Sequence, residues 1–187
     1  NASAEIYVIG CTFEENRGVD IQFSTSSLWP VTAYVKDCHF KSQVAAIGIT
    51  TRVLYPEEQR DGPSDIIFEN NLIECHPDRP PIRFDNGNSF HVTFRGGEVK
   101  AIAERKVPVS PIRFKLAREF RRERDDSPVP RPVPEGSVVF DGLKLTGFGR
   151  AEPISIEDTA HLCSVEALYG TVKVNGKNTD VAKYRYS

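Results

Sequence analysis

Five stretches of this chain, residues 6–13, 33–40, 66–73, 92–99 and 138–145, line up without gaps on one pattern of apolar and polar positions. Each reads apolar, any, apolar, any, then Gly, Asp or Asn. A further residue, usually small, any residue and an apolar one complete the unit. Alternation at period two, with β-branched and aromatic residues on the apolar beats, predicts a strand. Gly10, Asp37, Asn70, Gly96 and Gly142 hold the fifth position. These residue types tolerate left-handed backbone angles, so each marks a bend. A second, shorter strand follows every unit at residues 19–23, 46–49, 81–84, 111–114 and 153–156. The last three read Pro-Ile-Arg-Phe, Pro-Ile-Arg-Phe and Pro-Ile-Ser-Ile. Proline is tolerable at a strand's first position, where its missing N–H matters least.

The units are unevenly spaced: successive equivalents of Val8 lie 27, 33, 26 and 46 residues further on. A β-solenoid accommodates this, because insertions leave from one corner while the strands keep stacking. A propeller blade would need four strands in about 40 residues, more than these units supply. An antiparallel sandwich is the competing architecture. In the solenoid the inward columns are Ile6/Ala33/Ile66/Val92/Val138 and Val8/Val35/Phe68/Phe94/Phe140. Phe13/Phe40/Ile73/Val99/Leu145 and Ile21/Ile47 or Ile49/Ile82/Ile112/Ile154 complete them.

Two insertions interrupt the rhythm, residues 51–63 and 115–135. The second opens with good helix formers, Leu116 and Phe120 four apart, and ends in a Pro-rich stretch that must run extended. Its arginines alternate with Glu119, Glu123, Asp125 and Asp126, which predicts a solvated helix rather than a polybasic patch. Residues 160–187 are less regular and are expected to cap the rod, with an Asn175-Gly176 turn and Tyr184 and Tyr186 at its end. The other end opens directly on a full coil at Ile6. Further coils, a flanking domain or another subunit are expected there, since natural sheets rarely leave apolar edges bare.

The unit Val-x-[Gly/Asp/Asn]-[Cys/Asn]-x-Phe with its following Ile-x-[Phe/Ile] strand resembles the right-handed parallel β-helix, or pectin-lyase-like, superfamily over about residues 4–160. The resemblance implies an all-β parallel β-helix of five to six coils. It leaves function open, because the superfamily spans polysaccharide lyases, glycoside hydrolases, phage tail proteins, adhesins and non-catalytic surface proteins. The polygalacturonase-like branch carries Asn-Thr-Asp, Asp-Asp and Arg-Ile-Lys motifs. Here Asn178-Thr179-Asp180 stands alone outside the repeats, so a hydrolase mechanism does not carry over.

Composition narrows the choices. The 187 residues hold 24 basic and 26 acidic side chains, a formal charge of −2 that lacks the basic footprint of a nucleic-acid binder. No apolar run reaches membrane-spanning length. The sequence has no methionine, which leads us to expect a piece of a larger exported protein with an extracellular, cell-surface or periplasmic location. Cys11, Cys38, Cys75 and Cys163 are too far apart for a CxxC site, and no His pair has metal-ligand spacing, so neither metal nor cofactor is expected. Cys11 and Cys38 occupy equivalent positions and predict a buried thiol stack, with a disulfide as the alternative.

The second strands carry the chemistry of most interest. Their outward positions read Asp20 and Gln22, Gly48 and Thr50, Arg83 and Asp85, Arg113 and Lys115, Ser155 and Glu157. Arg83 above Arg113, with Asp85 and Lys115 beside them, is the candidate substrate-binding set. Stacked guanidinium groups suit the carboxylates or sulfates of an acidic polysaccharide. The preferred expectation is a flat face that binds polysaccharide or a partner. A lyase or glycoside hydrolase along the same face is the alternative, since β-elimination needs a cation for the uronate and a base for its α-proton. A structural spacer is the third. Trp29, Tyr34 and Tyr55 are candidate sugar-stacking rings.

Overall fold

A computed structural model of the chain describes residues 4–24, 31–50, 64–85, 90–103, 109–116, 137–158 and 168–184. Sixteen strands build it: β1 (Ala4–Ile9), β2 (Thr12–Glu14), β3 (Val19–Ser24), β4 (Val31–Lys36), β5 (His39–Ser42), β6 (Ala45–Thr50), β7 (Ser64–Glu69) and β8 (Leu72–Cys75). There follow β9 (Ile82–Asp85), β10 (Phe90–Arg95), β11 (Glu98–Ala101), β12 (Ile112–Leu116), β13 (Ser137–Thr146), β14 (Ile154–Asp158), β15 (Leu168–Val174) and β16 (Lys177–Asp180). A short 3-10 helix, Val181–Tyr184, comes last.

The strands stack in parallel into a β-solenoid with three sides. One side runs β1-β4-β7-β10-β13-β15 and the second β2-β5-β8-β11, which joins β13 beyond its bend. The third runs β3-β6-β9-β12-β14. Counted as complete turns, the solenoid winds about four times, fewer than the five to six coils expected from counting repeat units. The unit count includes both end rungs, and one turn separates two rungs.

The bends behave as their residue types require. Gly10, Asp37, Asn70, Gly96 and Gly142 all have positive φ, between 52° and 76°. Each turns the chain from the first side to the second without breaking the ladder: His39 N donates to Cys11 O at 2.8 Å, and Leu72 N to Cys38 O at 2.9 Å. Asn71 is buried at this corner, where its Oδ1 accepts from Cys38 N and its Nδ2 donates to Val35 O, both at 2.9 Å. One rung on, Gly97 occupies the same corner, and an added Cβ there would lie 2.6 Å from Asn71 O. Only glycine fits that approach.

Like residues stack in the core. Phe68, Phe94 and Phe140 form a parallel ring column at 4.9 and 5.2 Å, and Phe84 lies on Phe114 at 4.4 Å. Phe84 meets Phe94 edge to face across the interior, so the columns lock one wall to another. Ile47, level with Ile21 and Ile82, holds the inward position left open between it and Ile49. Ile49 belongs to a second column with Phe23, Phe84, Phe114 and Ile156. Charged rails run outside: Lys36 and Arg95 grip Glu69 at 2.7 and 3.0 Å, and Lys41 grips Glu14 at 2.8 Å. The two cations hold the Glu69 carboxyl below its usual range. Such exposed pairs contribute little each.

Three expectations need correction. Asp20 is not level with Gly48; the register sets Gln22 against Gly48 and Ser24 against Thr50. Asp20 sits at the corner instead, bonded by Ser42 and Asn16. The thiol stack is only half buried, because Cys38 is enclosed while Cys11 lies exposed on the end rung. Both are free thiols, as is Cys75, which burial pushes up to about 12. Lys115 and Leu116, expected to begin a helix, extend β12 by pairing with Glu157 and Asp158. The rest of that insertion, residues 51–63, Trp29, Tyr55 and Cys163 lie outside the described residues. Toward the C-terminal end β15 stacks on β13, Asn175-Gly176 turns the chain, and β16 returns antiparallel. Val181 and Tyr184 are buried beneath it.

The ring column makes a quantitative prediction. Phe94→Ala leaves a void between two stacked rings and should lower unfolding free energy by about 3–5 kcal/mol, read from the urea midpoint. Thr93→Ala, one residue away on the outward face, should shift it by less than about 0.5 kcal/mol.

Candidate ligand-binding face

The four candidate residues come from two adjacent strands of the third side. In register, Arg83 of β9 lies level with Arg113 of β12, and Asp85 level with Lys115. Because inward Ile82, Phe84, Ile112 and Phe114 are fully enclosed, alternation turns all four outward into one block. The two columns continue as Gln22–Gly48–Arg83–Arg113–Ser155 and Ser24–Thr50–Asp85–Lys115–Glu157. Charges therefore alternate along the second column. The block as a whole is less basic than two stacked arginines suggest.

The two arginines differ in employment. Arg83 bends back onto the corner, where Nε donates to Pro80 O at 3.2 Å and Nη2 to Val44 O at 3.3 Å. Burial, and then the positive charge of Arg113, pull its guanidinium below the usual arginine value. It is a brace between rungs. Arg113 instead pairs through Nη2 with Asp85 at 3.4 Å, while its enclosed Nε has no hydrogen-bond partner among the described residues. An enclosed N–H without an acceptor is costly, and a bound oxygen would relieve it.

Arg113 also borders a groove of about 860 Å³ between β12, β14 and the C-terminal helix. Ser110, Ser155, Glu157 and Lys183 supply the remaining polar wall, with Glu152 and Tyr184 at its end. Tyr184 donates to Glu152 Oε2 at 2.7 Å, and burial together with that carboxylate raises its phenol. Lys183 Nζ lies 4.7 Å from the Tyr184 ring centroid. Asp180, the last residue of the lone Asn-Thr-Asp, accepts from Ala182 N at 2.9 Å and so starts the helix that carries Lys183. Its role is structural.

Two further surface sets were not visible in the sequence. The outward residues of the first side form a ladder, Tyr7–Tyr34–Ile67–Thr93–Val139–Tyr169, with Tyr7 stacked on Tyr34 at 5.1 Å. Next to it, His91 Nδ1 and Ser137 Oγ lie 2.8 Å apart, with Asp65 level with them. Among the described residues no hydrogen bond joins Asp65 to His91. The strands' own N–H groups are engaged in the ladder, so none is aimed at a developing oxyanion. The pair reads as a surface hydrogen bond. His39 is likewise engaged, by Glu74 at 2.8 Å. Among the described residues no cluster of His, Cys, Asp and Glu could hold a metal ion, and no helix is long and apolar enough to cross a membrane.

The unequal employment of the arginines is testable in unfolding experiments. Arg83→Ala should cost about 1–2 kcal/mol, because two carbonyls lose a charged donor. Arg113→Ala should cost less than about 1 kcal/mol, because it removes one partly exposed ion pair and an unsatisfied N–H.

Comparison with protein-family models, curated proteins and solved structures returned no match, so the reading rests on the residues and the geometry above.

Proposed function

We propose that this chain is a pectin-lyase-like β-solenoid acting as a non-catalytic module that binds an acidic polysaccharide in the groove beside Arg113. One observation carries the reading: Arg113, whose enclosed Nε has no hydrogen-bond partner among the described residues, lines a groove of about 860 Å³. A uronate carboxylate or a sulfate would satisfy Arg113 Nε and draw Lys183 toward it. Ser110 and Ser155 offer hydroxyls to the sugar's own hydroxyl groups. Glu152 and Glu157 limit how much negative charge the groove accepts, which favours isolated acidic sugars over a dense polyanion. The lyase alternative is less well supported, because Arg83 is spent on backbone carbonyls and Lys115 stands between Asp85 and Glu157 in register.

Affinity electrophoresis through gels containing polygalacturonate, with dextran as the uncharged control, tests the proposal. Retardation in the acidic gel alone is expected, without release of unsaturated or reducing ends. Arg113→Ala should weaken binding by about tenfold or more, and Lys41→Ala, on another side, should leave it unchanged. Equal mobility in both gels, or retardation indifferent to Arg113, would refute it.

A further inference from the structure

The three sides of the solenoid present different outward surfaces. On the first side the middle outward column is mostly apolar: Tyr34 of β4, Ile67 of β7, Thr93 of β10 and Val139 of β13 lie level with one another, each partly exposed. The third side offers Gly48, Arg83, Arg113 and Ser155 instead, and on the second only Leu72 interrupts polar rows such as Lys41, Glu74, Lys100 and Thr146. Two polar columns flank the apolar strip. Thr32, Asp65, His91 and Ser137 run along one flank, and Lys36, Glu69, Arg95 and Asp141 along the other. A continuous apolar strip on an otherwise polar rod marks a contact surface, and the flanking charges decide what fits it.

We infer that the first side is a self-association surface: two copies pack face to face with their rods antiparallel, about a dyad that runs along the strand direction between β7 and β10. Two sheet faces can be related by a dyad along the rod or by one along the strands. A dyad along the rod, through the apolar column, would set Asp65 against Glu69, carboxylate on carboxylate. A dyad along the strands lays each column on itself in reverse order. Placed through β7, it sets Glu69 on Glu69 and Lys36 on Arg95; placed through β10, it sets Arg95 on Arg95 and Glu69 on Asp141. Between the two strands the conflict disappears. Lys36 then faces Asp141 and Glu69 faces Arg95, each contact made twice.

The other columns obey the same operation. Asp65 meets His91, Thr32 meets Ser137, Ile67 meets Thr93 and Tyr34 meets Val139, so the four inner rungs alone make the match. Two of these contacts answer groups with capacity to spare. The exposed Asp141 carboxylate has no ion pair or hydrogen bond among the described residues, and His91 spends Nδ1 on Ser137, which leaves Nε2 for Asp65 of the second copy. Charge alternation also serves the single rod, where Lys36 and Arg95 grip Glu69. The second side alternates as well, through Glu14, Lys41, Glu74 and Lys100, but it has no apolar column to bury. Strands about 20 Å long on rungs about 4.8 Å apart give a footprint on the order of 500 Å² per copy. That is the small end of specific interfaces, which suits a reversible dimer. The Arg113 groove lies on the third side and stays open.

Sedimentation equilibrium of the full chain, from about 1 µM to about 200 µM, tests the inference. A mass of twice 20.9 kDa is expected at the upper end. Lys36→Asp and Asp141→Lys each place like charges across the dyad, and each alone should weaken the dimer at least tenfold. An equimolar mixture of the two variants should regain it, because each chain supplies the charge that the other lacks at both contacts. A folding defect in either variant could not produce that recovery. Ile67→Glu, outward on the strip, should also weaken the dimer while the β-type circular dichroism spectrum persists. A monomer across the whole range, association beyond two copies, a dimer indifferent to the charge reversals, or a mixture that stays monomeric would overturn the inference.

Discussion

In-register stacking of like residues is the constraint on which everything else in this molecule depends. A strand in a parallel solenoid has no freedom to choose its neighbour's face, since a slip of one residue would turn its whole apolar set outward. The phenylalanine columns fix the register from inside. Phe94 between Phe68 and Phe140, and Phe84 on Phe114, allow one alignment of their strands at full ring contact. The corner adds a second check, because Asn71 and Gly97 fit only when the rungs are level. Outward residues then inherit their positions. Arg83 lies over Arg113, and Lys36 and Arg95 flank Glu69, because the core beneath them permits no other arrangement.

Much of this was legible in the residues themselves. The Gly, Asp or Asn at the fifth position of each unit announced a bend, and all five adopt left-handed angles. The core columns followed from period-two alternation alone, since burial depends on which face a residue takes and not on distant contacts. What could not be read was anything set by the path of the chain around a corner. Arg83 looked like a free cation in the sequence, yet its donors reach Val44 and Pro80 on the bends beside it. The Asp20 column failed for a related reason: alternation alone lets Ile21 stack on Ile47 or on Ile49, and only the paired strands settle that Gln22, not Asp20, lies level with Gly48.

The candidate groove shows the same division. Arg113 was identified by its repeat position, but Lys183 reaches the groove only because a hairpin and a short helix fold back over the last rung. His91 and Ser137 are separated by an insertion, and only the stacking of β10 on β13 makes them neighbours. Function in such a fold resides in rows of side chains that the register assembles across turns. The sequence names the members of a row more readily than their partners.

The register of the outward rows is therefore the most direct point of test. Nitroxide labels on Ile67 and Thr93, and separately on Thr93 and Val139, probe neighbours that are far apart in sequence but adjacent across β7, β10 and β13. The strand spacing of about 4.8 Å predicts strong dipolar broadening of the electron paramagnetic resonance spectrum in both pairs, and weaker broadening for Ile67 with Val139. Spectra of non-interacting labels in either adjacent pair would contradict the stacked register, and with it the placement of every surface row described above.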